Sequence, residues 1–171
     1  MSIALLSGMK LTPARLNALT PMYREKTADQ PKTNNTLAND THLFCPVEAN
    51  ATYTFEFVLL HGTATSNTPD FKAALTFPSG CTADWSIIGL DTATGGTFGN
   101  LSVNAWQGST TSGASISRGL TNSGVTMSLL RGRLKVGVVA GTLQLQWAQA
   151  TTTAETTTLY AGSHLLCQRV D

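Results

Sequence analysis

Charge is scarce in this chain of 171 residues: Asp, Glu, Lys and Arg make up 12% of it, and the formal net charge is +1. That is about half the usual ~25% share. Nothing in such a balance steers the protein toward nucleic acid or an anionic membrane. Long apolar runs are also missing, so no segment approaches the roughly 18 residues that span a bilayer. The start, Met1 to Gly8, has no basic region and too short an apolar run for a signal peptide, which predicts synthesis and retention in a cytosol. Cysteine is limited to Cys45, Cys81 and Cys167, an odd number without CxxC spacing. A disulfide framework needs pairs and a zinc site needs closer ligands, so three free, at least half-buried thiols are expected. Cys45 and Cys167 fall on strands that could be neighbours, where a chance bridge is conceivable. Helix signals are nearly absent as well.

What remains is a hydrophobic share of 42%, enough for one domain with its own core. Uncharged hydrogen-bonding residues, above all threonine, fill most of the polar positions. The single helix signal is Thr12 to Leu19. Thr12 can cap it, Pro13 suits its first turn and Pro21 stops it. Two turns are marginal in water, so this helix must lean on something.

The rest alternates with period two. Leu43, Cys45 and Val47 share a face of a strand that either is an edge or ends at Pro46, and Glu48 to Asn50 reads as a turn. In the strand Thr52–His61, Tyr53, Phe55, Phe57 and Leu59 share a core face, while Val58 and Leu60 lend the other face apolar character. Phe71 to Phe77, Trp85 to Leu90, Leu101 to Trp106, Val125 to Val139, Thr142 to Gln149 and Thr157 to Val170 follow. Gly62–Asp70 and Asp91–Asn100 read as loops, and Gln107–Asn122 as a mobile, Ser/Thr/Gly-rich one. Roughly eight or nine strands at this spacing predict an all-β, jelly-roll-like antiparallel sandwich over residues 41–171. Residues 1–40 are expected to form an N-terminal attachment segment, the short helix plus a polar arm, with one strand expected at the start of residues 22–40.

Chemistry is hard to find. His42, His61 and His164 sit on separate strands in no metal-ligating pattern, so neither a metal nor another cofactor is expected. No nucleophile elbow is present. A glycosidase needs paired carboxylates, for which Glu56 with distant Asp70 or Asp84 is a poor candidate. The expectation is a protein without catalytic activity. Arg131, Arg133 and Lys135 point one way, as on a charge-guarded edge. Trp85 and Trp106 border glycine-rich loops and are candidate glycan contacts, whereas Trp147 continues an apolar face.

The segments GMKLTPARLNALTP, KTADQ, LANDTHLFCPVEANATYTFEFVLLH, TPDFKAALTFPSG, GTLQLQWAQAT and AGSHLLCQRV resemble small virion structural proteins of tailed bacteriophages that infect actinobacteria. These are minor tail, fibre-like or decoration proteins, and the resemblance runs nearly the full length. It implies a virion location, assembly in the host cytoplasm, and partners among other virion proteins. Fold-level analogy with the trimeric jelly rolls of the tumour-necrosis-factor and C1q type adds the expectation of a homotrimer. The attachment residues would be Leu11, Pro13, Leu16 and Leu19, and the subunit interface Val58, Leu60, Tyr160 and Leu166. A tail position would turn the three loops toward the host. The alternatives are a capsid decoration protein or head fibre at a symmetry axis, and a module binding host cell-wall carbohydrate through Trp85 and Trp106.

Overall fold

The computed structural model describes residues 10, 12, 20–64, 68–92, 108–121 and 124–171. The predicted helix and its Leu11, Pro13, Leu16 and Leu19 lie outside them. So do Trp106 and the strand expected at residues 101–106.

The described residues form twelve strands. They are β1 (Met22–Glu25), β2 (Gln30–Lys32), β3 (Ala38–Val47), β4 (Thr52–Thr63), β5 (Phe71–Thr76) and β6 (Thr82–Ile88). Then come β7 (Gly108–Ser109), β8 (Ser115–Arg118), β9 (Thr126–Lys135), β10 (Gly141–Gln149), β11 (Thr157–Leu159) and β12 (His164–Arg169). All pairings are antiparallel, in two sheets. The first runs β1-β12-β4-β9-β6-β7, with β11 joining β4 to β2; the second runs β3-β10-β5-β8. From β3 to β6, and again from β8 to β10, successive strands alternate between the sheets. The orders β1-β12-β4-β9 and β3-β10-β5-β8 are those of an eight-stranded jelly roll, which β6 and β7 extend at one side.

The core lies between the sheets and follows from the alternation. Tyr53, Phe55, Phe57 and Leu59 of β4 face Leu143, Leu145 and Trp147 of β10 and Phe71, Ala73 and Leu75 of β5, all buried. The rings of Phe55 and Phe57 meet edge to face at 6.0 Å, and Phe71 stacks on Trp147 at 5.8 Å. Gly132 of β9 pairs with both Phe55 and Trp85, and a β-carbon there would lie 2.5 Å from the Phe55 ring. The missing side chain is what lets that ring sit over the strand.

The sheets depart from the sequence expectations in several places. Residues 22–40 read as a polar arm with one strand at its start, where β1 lies; they also contain β2 and the beginning of β3, so the boundary at 40/41 falls inside a strand. A three-residue strand carries too few alternations to show in sequence; β2 exists because β11 pairs with it, Lys32 opposite Thr157, as β12 pairs with β1, Met22 opposite Cys167. Likewise Gln107–Asn122 is not all loop: β8 pairs with the β5 edge, Ile116 opposite Ala73. The closing strand breaks at Tyr160–Ser163. Gly162 there has φ +85°, and the Ser163 hydroxyl donates to Tyr160 O at 2.8 Å. The break puts both Leu159 and Leu165 in the core. The edge role expected of Pro46 and the turn at Glu48–Asn50 are both present, with Asn50 at φ +58°.

Candidate functional site

The outer face of the first sheet is built by strand register. One row across it is Tyr23, Leu166, Glu56, Arg131 and Ser86. The next is His164, Val58, Leu129 and Ile88, and beyond it Leu60 stands opposite Met127. Tyr23 is 56% exposed, Met127 59%, Ile88 44% and Leu166 42%. Single exposed apolar residues are ordinary; here several share one sheet face. Three of the four residues singled out for a subunit interface, Val58, Leu60 and Leu166, lie on this face. Tyr160 does not lie on a strand; it is half-buried in the break before β12 and leans over Gly62.

A groove of about 290 Å³ crosses this face, lined by Thr54, Phe55, Glu56, Arg131, Gly132, Leu166 and Gln168. Arg131 Nε donates to Glu56 Oε2 at 2.5 Å, an exposed pair worth well under ~1 kcal/mol. Glu56 is therefore a paired strand residue. Arg131, Arg133 and Lys135 do point the same way, but β9 lies between β4 and β6, so they guard no sheet edge; Arg133 lies opposite Asp84.

Two buried polar clusters were not legible in sequence. At the corner where β1 meets β3, Lys26 Nζ donates to Asp40 Oδ2 at 2.7 Å, with both side chains fully enclosed. Lys26 also reaches Gln30 Oε1 at 2.9 Å, while Asp40 Oδ1 accepts from the backbone N–H of His42 and Leu43 at 2.9 Å each. So full a satisfaction is what makes a buried ion pair tolerable. The pair pins the chain entering β2 to the edge of the second sheet.

Near the opposite side, the fully buried His61 stacks on Phe71 at 4.2 Å and shares a 2.8 Å hydrogen bond between Nε2 and Ser128 Oγ. Its Nδ1 has no partner. Burial pushes its pKa from 6.5 down to about 3, so the ring is neutral. A serine beside a histidine invites a catalytic reading, but both side chains are closed to solvent and no substrate could touch them. Close by, Arg118 donates to Ile87 O through Nε at 3.1 Å and Nη2 at 2.5 Å. Asp70, at φ +46°, has its carboxyl pushed up to about 6, chiefly by burial.

Trp85 corrects an expectation. It is 2% exposed and faces the core beside Phe55, so it offers no platform for a sugar ring. Inward alternation on β6 outweighed its position next to a loop. His42 and His164 stay on their separate strands, and among the described residues no group of three His, Cys, Asp or Glu could hold a metal ion. No helix among them is long and apolar enough to cross a membrane. All three cysteines are free thiols, Cys45 and Cys167 buried and Cys81 half-buried.

No family model matches the chain, and no curated protein does. Among solved structures it is similar to that of infectious bursal disease virus, Gt strain, at 11% identity and a TM-score of 0.21, over 100% of this chain and 42% of that one. It is similar also to the VP2 subviral particle of infectious bursal disease virus, at 11% identity and a TM-score of 0.20, over 87% of this chain and 42% of that one. The chain thus spans less than half the length of either. Likenesses this slight carry no argument about its role.

Proposed function

We propose that this chain is a non-enzymatic structural protein of a bacteriophage virion. In this reading it is a homotrimeric jelly roll that packs through the outer face of its first sheet and holds the particle by residues 1–21. The observation that carries self-association is the cluster of Tyr23, Val58, Leu60, Ile88, Met127 and Leu166 on one sheet face. The virion assignment is supported by the resemblance of segments such as GMKLTPARLNALTP and AGSHLLCQRV to small phage virion proteins. A tail or fibre position is preferred, with other virion proteins as partners and assembly in the host cytoplasm. Decoration of the capsid at a symmetry axis is the alternative. The carbohydrate-binding alternative loses its main support with the burial of Trp85.

Light scattering of the purified protein at micromolar concentration tests the assembly: a trimer is expected, and a stable monomer refutes it. Removing residues 1–21 tests the attachment. The expected product is a folded trimer that no longer binds virions lacking the protein. A truncated form that still decorates particles places the attachment surface elsewhere.

A further inference from the structure

The loop between β9 and β10, Val136 to Ala140, carries two side chains that neither the core nor the turn accounts for. Val136 is buried, but Val138 is 82% exposed and Val139 50%. Among the described residues no large hydrophobic side chain is more exposed than Val138. Turns favour Gly, Asn, Asp, Ser and Pro, each for a backbone or hydrogen-bonding reason that valine cannot serve. The tip is nevertheless braced. Asn50 N–H donates to Gly137 O at 2.7 Å, and Val136 N–H donates to Ala51 O at 2.8 Å. Gly137 packs so closely on Gly80 that a β-carbon would lie 2.5 Å from its carbonyl oxygen, and one on Gly141 would lie 2.7 Å from the Pro78 ring. Two valines are thus presented to water on a held loop, which loses little freedom when it is covered.

Strand direction sets this tip beside the place where residues 1–21 join the sandwich. Met22 opens β1 opposite Cys167, so Pro21 and Thr20 continue toward the end of β12. At that end Val170 N–H donates to Thr52 O at 2.9 Å, and Thr52 stands opposite Lys135, the last residue of β9. From β1 to β9 the sheet crosses β12 and β4, three strand spacings or roughly 15 Å. Val170 is exposed on the way. The neighbouring Arg169 is held by Glu48 at 2.6 Å and by Asp171 at 3.0 Å, so its charge is matched within the chain.

We infer that Val138 and Val139 are a second attachment point, seated in an apolar, uncharged hollow of the same virion protein that holds residues 1–21, and so resting on the attachment proposed above. Position selects this occupant. A partner that grips the segment entering at this end meets the valine tip roughly 15 Å away, and covering it removes from water the most exposed large apolar side chain of the sandwich. Two linked contacts also bind far more tightly than either alone, and they fix an orientation that one terminal segment leaves open. Residues 151–156, beyond the far end of β10, are then turned away from the particle.

The test mixes the full chain with virions lacking the protein and pellets them over a range of protein concentrations. Val138→Asp with Val139→Asp should fold and assemble as the parent does, because both positions are exposed, and should bind the particles about a hundredfold more weakly. Val138→Ser with Val139→Ser removes apolar area without adding charge and should bind about tenfold more weakly. Thr151→Asp with Ala154→Asp, at the opposite end, should bind as the parent does. With a photo-reactive benzophenone side chain in place of Val138, irradiation on the particle should join the chain to a different virion protein. Parent-like binding by either valine variant, an equal loss in the Thr151 pair, or a cross-link only between copies of this chain overturns the inference and leaves attachment by residues 1–21 standing. A parent chain that binds no particle overturns both. Should the aspartate pair fail to fold, the serine pair and the cross-link decide.

Discussion

The outward residues of the two sheets come from the same period-two alternation but end in different company. On the second sheet the polar ones, which stand beside Phe44, Pro46 and Ala74, spend their hydrogen bonds within the chain. Gln144 Nε2 donates to Asp40 O at 2.8 Å, Gln146 Nε2 to Asn39 Oδ1 at 2.9 Å, and Lys72 Nζ to Asn35 O at 2.8 Å. On the first sheet that face carries Val58, Leu60, Ile88, Met127 and Leu166, which have nothing to hydrogen-bond, beside Tyr23, which donates to Glu25 Oε2 at 3.0 Å, and the paired Glu56 and Arg131. A face that completes itself needs no partner; an apolar face left to water gains roughly 25 cal/mol per Å² when something covers it. In the proposed trimer the first sheet is therefore the one that associates.

The sharpest break in this contrast is Asp40→Ala on the second-sheet side. It leaves the Lys26 ammonium buried without its partner, and a loss of about 3–5 kcal/mol is expected in urea unfolding. Replacing both partners, Lys26→Met with Asp40→Leu, should recover most of that loss, because the cost lies in the orphaned charge.

The inner face of the first sheet responds to acid instead. Unfolded, the His61 imidazole titrates near 6.5; folded, burial holds it at about 3. Only the unfolded chain takes up this proton between those values, so the stability is whole above pH 6.5 and is lost as pH falls toward 3. The expected contribution between pH 6.5 and pH 4 is roughly 3 kcal/mol. Denaturation curves across that range should flatten in His61→Phe, which keeps the stack on Phe71 and has nothing to protonate; an unchanged slope would assign the acid sensitivity to other groups.

On the outer face of the first sheet the expectation reverses, with fold retained and association lost. Leu166→Asp with Met127→Asp should change monomer stability by about 0.5 kcal/mol or less, as exposed substitutions do. The same pair should abolish the trimer in light scattering. Smallest of all is the matching change on the second sheet. Gln146→Glu gives up one exposed hydrogen bond and should alter neither the melting temperature by more than about 2 °C nor the oligomeric state. An equal effect of the two face substitutions on assembly would erase the distinction between the sheets.

Strong alternation was readable in advance. The two characters of β4, the edge position of β3 at Pro46 and the inward Leu143, Leu145 and Trp147 of β10 all follow from residue order. Weak alternation was not. β8 offers Ile116 as its one apolar residue amid serine and glycine, so nothing local distinguishes it from loop until the β5 edge supplies hydrogen bonds. Trp85 misled because a loop neighbour says less about burial than the face of the strand it stands on.

Residue order alone set the all-β class, the core faces of β4, β5 and β10 and the turn at Glu48–Asn50. Those depend on side-chain period and on backbone preferences within a few residues. Tertiary structure alone decided that Lys26 is buried, through an Asp40 that lies 14 positions away in the chain. It also decided that His61 is walled in, stacked on Phe71 from another sheet. Such contacts join positions with no fixed spacing in sequence. They exist only once the strands have chosen their neighbours.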